Sequence, residues 1–288
     1  MASKKQNNKR HKYQFVALLF FAFCLISTIS VSAQGDLMIF PKRLVLDDIN
    51  KVQDINLANI GKDTATYDVS FIQYRMNALG GFELITEPDS NQHFATPYLR
   101  LFPRRVILAP NESQLVKIQL VRTNELTSGE YRSHLYFRQV IYQKPLSNKE
   151  PAEANKATGV SVKLTPVYGI SIPCIIHKGE SNTTVSISDL EYENIGDSLS
   201  YLKMNIHRSG NMSTYGDITV SYMDSNNKSL EVGKTQGVSV YTPGQIRKCK
   251  MELKKIVGVD YSKGKLKVVY SPENSIKALA EAELVLNH

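Results

Sequence analysis

Between Val160 and Ile176 the chain reads VSVKLTPVYGISIPCII, and one register of it is apolar apart from a proline: Val160, Val162, Leu164, Pro166, Tyr168, Ile170, Ile172, Cys174 and Ile176. A period of two is the mark of a β-strand with one apolar face. The other register carries Ser161, Lys163, Thr165, Gly169 and Ser171, with Val167 and Ile175 as exceptions. Pro166 and Pro173 have no N–H for a central ladder, which predicts a strand at a sheet edge or one that changes sheets. A long apolar edge is an aggregation hazard. Either another part of the chain covers it, or a second polypeptide pairs with it.

The same period recurs on both sides of this stretch. Leu37 and Ile39, then Pro41, then Arg43 and Val45 predict a first strand that changes sheets at its proline. Ile55, Leu57 and Asn59 share one face, as do Tyr67, Val69 and Phe71. Gly80-Gly81 marks a hairpin, with Phe82 and Leu84 on the return. Leu99, Leu101, Val106 and Leu108 follow, then Val116, Ile118 and Leu120. Tyr131 stands just after the turn Ser128-Gly129 and opens the register Ser133, Leu135, Phe137. That placement suits the tyrosine corner of an immunoglobulin-like sandwich. Gln143 to Gly159 is polar and reads as a loop before the long edge strand.

A short polar linker, His177 to Asn182, precedes a second run of alternation. Its members are Val185 and Ile187; Leu202, Met204 and Ile206; Ile218, Val220 and Tyr222; Val238 and Val240; Cys249, Met251 and Leu253; Leu266, Val268 and Tyr270; and Ala282, Leu284 and Leu286. Ser275 to Glu283 is the one stretch open to a brief helix, with strand preferred at its end. Short strands between turn signals, with no helix-period segment of comparable length, predict an all-β chain. The expected architecture is two immunoglobulin-like β-sandwich domains in tandem after a signal peptide: residues 1–33, 34–178 and 179–288.

The signal peptide changes how the charge is read. Lys4, Lys5, Lys9, Arg10 and Lys12 precede an apolar run from Phe15 to Ile26, and Val31-Ser32-Ala33 has a small-x-small cleavage pattern. The run is shorter than the ~20 residues a spanning helix needs. Cys24 follows bulky Phe23, which argues against a lipoprotein signal. The whole chain has 35 basic and 27 acidic residues; taking away the five basic residues before Ala33 leaves 30 against 27, a net of +3. That balance gives nucleic-acid binding no support. Apolar content of 42% and charged content of 22% are those of an ordinary globular protein.

Candidate chemistry is sparse. His93, His134, His177, His207 and His288 show no metal-ligand spacing. No nucleophile elbow, phosphate loop or dinucleotide fingerprint occurs. Neither a metal, a cofactor nor a catalytic residue is therefore expected, and the chain reads as a non-enzyme. Cys174 and Cys249 are compatible with a disulfide or with two buried thiols, and the second is favoured.

In order, Pro41-Lys42-Arg43-Leu44-Val45-Leu46-Asp47, Ile55-Asn56-Leu57-Ala58-Asn59, Leu108-Ala109-Pro110, Gln114 to Leu120, the polar loop and the edge strand ending Ser171-Ile172-Pro173 match a family, with Ser213-Thr214-Tyr215-Gly216 in the second half. The chain resembles the periplasmic pilus-assembly chaperones of Gram-negative bacteria. The resemblance implies a periplasmic chaperone whose partners are pilus or fimbrial subunits and an outer-membrane assembly platform. It implies that Val160, Val162 and Leu164 enter the groove of a subunit sandwich that lacks a strand, by donor-strand complementation. It implies too that Arg43 grips the subunit's C-terminal carboxylate, as a guanidinium does through two parallel bonds. The lysine that assists in this family has no counterpart: Tyr168-Gly169-Ile170-Ser171 is not basic, and Lys163 lies about five residues early on the other face. Two alternatives stay open. Arg43 acts with the Tyr168 hydroxyl and backbone N–H groups, or no C-terminus is anchored in this way.

A rival from another class is a secreted two-module structural or adhesive protein, with the long strand buried between its own sheets. A sugar-binding or hydrolytic sandwich is a weaker third, disfavoured by the absence of tryptophan. Self-association through the edge strand is a further way to cover it.

Overall fold

The first strand divides at its proline. In the computed structural model, which describes residues 36–141, 167–196, 199–225, 228–273, 275 and 277–287, β1 (Leu37–Phe40) pairs antiparallel with β3 (Val52–Asn59), while β2 (Leu44–Leu46) lies parallel to a strand of the opposite sheet. One run of sequence thus serves two layers, as a strand interrupted at Pro41 predicts. The run that holds Leu99, Leu101, Val106 and Leu108 behaves likewise. It is two strands, Leu99–Phe102 and Arg105–Leu108, which join opposite sheets on either side of Pro103.

The first sandwich therefore packs two sheets. One has the order β1-β3-β9-β7, with β7 being Leu99–Phe102 and β9 Ser113–Leu120. The other has the order β2-β11-β10-β4-β8, with β4 being Ala65–Ile72, β8 Arg105–Leu108, β10 Gly129–Val140 and β11 Gly169–Lys178. The alternating residues face inward: Ile55, Leu57, Val116, Ile118, Leu135, Phe137 and Cys174 are fully buried. Each such side chain contributes about 1.5–3 kcal/mol by leaving water. The Tyr131 hydroxyl accepts the Thr127 N–H at 3.0 Å and meets the Thr127 hydroxyl at 2.9 Å. This is the backbone-tying geometry of a tyrosine corner.

A small hairpin leaves the end of β4: β5 (Tyr74–Met76) pairs with β6 (Phe82–Leu84). The Asn77 side chain accepts the N–H groups of Leu79 and Gly81, and Gly80 takes φ 84°, a left-handed value suited to glycine. Met76 is buried among residues of the second half, and the Ala78 carbonyl accepts the Lys248 N–H at 2.7 Å.

The second sandwich has a sheet of β12 (Thr184–Ile195), β13 (Leu199–Ser209) and β16 (Ile246–Leu253), in that order. It faces a sheet ordered β15-β14-β17-β18, with β14 being Thr214–Met223, β15 Ser229–Val240, β17 Lys263–Ser271 and β18 Ala280–Asn287. The chain's end is strand from Ala280, the preferred reading. Its core is built on Leu202, Ile206, Val220, Val268 and Tyr270, all fully buried. Ile175, the exception to the alternation of the long strand, belongs to this second core rather than the first. Cys174 and Cys249 are both free thiols, and burial pushes both up from the usual thiol range.

Candidate functional site

The hydrogen-bond parity of β11 can be read from one bond. Gln139 N–H donates to the Tyr168 carbonyl at 3.0 Å, at the end of an antiparallel register that runs Arg138↔Gly169 to Gly129↔Lys178. In an antiparallel pair, bonded and non-bonded positions alternate. Ile170, Ile172, Cys174 and Ile176 thus aim their backbone groups at β10, and Gly169, Ser171, Pro173 and Ile175 aim theirs away from it.

The outward side is divided. β2 covers Cys174 to Ile176 in parallel, with Leu44, Val45 and Leu46 opposite them. That end of the long strand is hydrogen-bonded on both sides, contrary to an edge running all the way to Ile176. The reason lies in the sheet switch after Pro41. It delivers Leu44 and Leu46 to the first core, and their backbone must find a partner there. From Gly169 to Pro173, no strand among the described residues pairs on this side. Pro173 has no N–H to leave unpaired, and its carbonyl faces Leu44 in the parallel register. The open margin therefore presents the N–H and C=O groups of Gly169 and Ser171. A Cβ at Gly169 would run into the outer end of the Tyr136 ring, which lies over it and would have to shift.

Behind the margin, the sheet face turns toward the second sandwich. Successive cross-strand rows are Glu130 with His177, Arg132 with Ile175, His134 with Pro173, Tyr136 with Ser171 and Arg138 with Gly169. Glu130, Arg132 and His134 are buried, Tyr136 is half-buried and Arg138 is exposed. Cover of this face, by the hairpin and the second half together, thus ends between His134 and Tyr136, level with the start of the open margin.

Polar groups join the halves under this cover. Glu130 accepts the Ser213 N–H at 2.7 Å, the Thr242 hydroxyl at 2.9 Å and the Ser213 hydroxyl, and meets His177 Nε2 at 3.3 Å. Burial alone would push this carboxyl up, but the hydrogen bonds from His177 and Ser213 outweigh it and hold the group at about 2. Arg132 Nη2 donates to the carbonyls of Thr242 and Tyr74 at 3.1 and 3.3 Å. His134 sits edge-on to Tyr74 and Phe82, with ring centroids 5.0 and 5.3 Å away. Neither of its ring nitrogens has a hydrogen-bond partner among the described residues. Burial, and then the charges of Arg132 and Arg43, lower its imidazole to about 3, so it is neutral.

Arg43 stands immediately before β2, beside Pro173, where the margin opens. Its guanidinium carbon lies 4.6 Å from the centre of the Tyr215 ring and 5.6 Å from that of Tyr241. Its Nη1 donates to the Tyr241 hydroxyl at 3.1 Å. Arg132 stacks on the same Tyr241 ring at 4.5 Å. Two cations thus share one ring, and nothing in the sequence marked Arg132, Tyr215 or Tyr241 for this place. Tyr168 is exposed at the far end of the margin, five residues from Pro173, or about 16 Å along an extended strand. The hydroxyl that reaches Arg43 is that of Tyr241, not of Tyr168. Val160, Val162 and Leu164 lie outside the described residues. Among the described residues, no group of three or more His, Cys, Asp or Glu side chains is placed to hold a metal ion.

No protein-family model and no curated protein sequence matches the chain. Solved structures of chaperones do resemble it. The class 5 fimbriae chaperone CfaA is 16% identical, with 88% of this chain and 99% of that chain covered and a TM-score of 0.39. The E. coli chaperone DraB is 13% identical over 87% and 96%, with a TM-score of 0.41. The complex of the CsuC chaperone with the CsuE tip adhesion subunit from Acinetobacter baumannii gives 11% identity over 87% and 98%, with a TM-score of 0.40. Likeness of this degree is weak, and the geometry of the margin and of Arg43 carries the functional reading.

Proposed function

We propose that the protein is an exported chaperone that holds a pilus or fimbrial subunit by adding its own strand to the subunit's incomplete β-sandwich. The observation that carries this reading is the margin of β11 from Gly169 to Pro173, which begins at Arg43 and has no paired strand among the described residues. Val160, Val162 and Leu164 share the sequence register of Ile170 and Ile172. In this proposal they extend the margin and fill the subunit's groove, with Tyr168 between the two segments. Four open main-chain groups at about 1 kcal/mol each set the register. Buried aliphatic side chains at about 1.5–3 kcal/mol each supply most of the affinity. The export signal at residues 1–33 and the division at 34–178 and 179–288 belong to the same proposal.

The geometry also supports one direction for the added strand. β2 already occupies the row from Leu44 onward, so an added strand must stop beside Pro173. Running parallel to β11, it would bring its C-terminal carboxylate to Arg43; running antiparallel, it would bring an ammonium group. A carboxylate is attracted by Arg43 and by the nearby charge of Arg132, and an ammonium is repelled. The parallel direction follows. Among the described residues no strand covers Gly169 and Ser171, which favours strand addition over a long strand buried between its own sheets.

Parity supplies the test. Ser171→Pro removes an outward N–H and leaves the ladder to β10 intact, whereas Ile172→Pro breaks that ladder. Ser171→Pro should melt like the unsubstituted protein yet weaken binding of a purified strand-deficient fimbrial subunit, with protection from hydrogen exchange at Gly169 lost. Ile172→Pro should lose about 3 kcal/mol of stability. Unchanged subunit binding by Ser171→Pro, together with the unchanged binding of a Val162→Asp, Leu164→Asp double variant, would end the strand-addition reading.

A further inference from the structure

Arg43 belongs to the first sandwich, but its guanidinium is held by the second. Tyr215 lies under one position of the group, and Tyr241 contributes both a ring and a hydroxyl. Tyr241 is itself buried, at 4% exposure, and carries Arg132 on its ring. It is thus a fixed support rather than a mobile surface side chain. The hydrogen bond to its hydroxyl consumes one donor of Nη1. Nε and Nη2 take no hydrogen bond among the described residues. These two nitrogens form the side edge of the guanidinium, where two parallel N–H groups match the two oxygens of a carboxylate.

We infer that Tyr241 and Tyr215 are positioning residues for Arg43, and that they leave its Nε–Nη2 edge as a side-on receptor for a carboxylate. The inference rests on the proposed role of Arg43 in holding a strand's C-terminus, and it adds how that grip is built. A free arginine side chain must lose several rotors to bind an anion, whereas one already stacked and hydrogen-bonded has lost them beforehand. The second sandwich thereby contributes to capture without touching the captured strand. A single contacting arginine then suffices where the edge strand offers no lysine, because preorganisation and the field of buried Arg132 replace a second contacting cation.

The geometry dictates which proton should respond. A side-on carboxylate takes the Nε–H, whereas an end-on one takes only the two terminal nitrogens. The full-length mature protein, labelled with 15N-arginine, is titrated with N-acetylglycine and separately with N-acetylglycinamide. The expected result is a downfield shift of the Arg43 Nε–H signal with the carboxylate and none with the amide. Tyr241→Phe keeps the ring and loses the hydroxyl, and should weaken the response about fivefold. Tyr215→Leu should weaken it by a similar factor. The Nε–H signals of the other arginines and the thermal midpoint serve as folding controls, because a merely structural loss would move those too. Wild-type Arg43 that ignores N-acetylglycine removes the carboxylate receptor altogether. Tyrosine variants that titrate like the wild type overturn the positioning role and leave strand pairing untouched. No client is present in this titration, so a failure of strand addition would appear only in the Ser171→Pro experiment.

Discussion

Replacing His134 with phenylalanine isolates one charge at the junction of the sandwiches. The imidazole is 2% exposed, is ringed by Tyr74, Phe82 and Tyr241, and has no hydrogen-bond partner among the described residues. Burial chiefly, and the neighbouring charges of Arg132 and Arg43, lower it from 6.5 to about 3. Because the folded value is depressed, the stabilisation is complete above the unfolded value near 6.5. It is lost progressively as the pH falls toward 3, since the unfolded chain binds a proton that the folded chain refuses. Each pH unit in that window costs about 1.4 kcal/mol, so by about pH 5 the wild type has lost ~2 kcal/mol through this residue. Phenylalanine cannot titrate. Its larger ring adds a penalty of about 1–3 kcal/mol that does not depend on pH. Urea unfolding of both proteins at about pH 7.5 and about pH 5 gives the difference directly, and every other titrating group cancels between them. The variant should gain ~2 kcal/mol on the wild type at the lower pH. An offset between the two proteins that is the same at both pH values refutes the buried neutral imidazole.

Three further changes probe neighbouring features. Gly169→Val should destabilise the first sandwich by about 1–3 kcal/mol, because its side chain meets the Tyr136 ring; adding Tyr136→Ala should restore part of that in thermal melts. Glu130→Gln breaks a buried carboxylate network and should cost about 3 kcal/mol near neutral pH. The wild-type carboxyl is depressed to about 2, so its contribution is present above the unfolded value of 4.5 and fades as the pH falls toward 2; the gap in melting temperature should narrow there. Tyr131→Phe removes the corner hydroxyl and should cost about 1–2 kcal/mol in urea unfolding, with no change in the Arg43 signal.

Much of the strand plan is legible where one face is buried and the other is wet. Ile55, Leu57 and Asn59, or Val116, Ile118 and Leu120, alternate because burial alternates. Bulges hide the same signal in the second half. β12 slips register between Ser188 and Glu191, with Asp189 in the left-handed region at φ 53°, so Leu190 and Tyr192 fall out of phase with Val185 and Ile187. β15 slips twice against β14, and polar Lys234 and Gln236 separate Val232 from Val238 and Val240 in the same register.

The candidate site divides in the same way. Arg43 and the proline-marked edge strand stand out in the sequence, since a missing N–H and an apolar register are properties of the residues themselves. Glu130, Arg132 and His134 read there as the wet side of a strand, yet all three are buried. Their cover comes from Ser213, Tyr241 and Thr242 and, for Arg132 and His134, from Tyr74 and Phe82 of the hairpin, all more than fifty residues away along the chain. The chain by itself determined which residues can pair and which faces avoid water, because backbone chemistry and hydrophobicity are local. Which stretch of edge stays open, and which rings meet Arg43, only the tertiary structure decided. Both depend on where a sheet switch ends and how two modules dock, and local periodicity does not encode either.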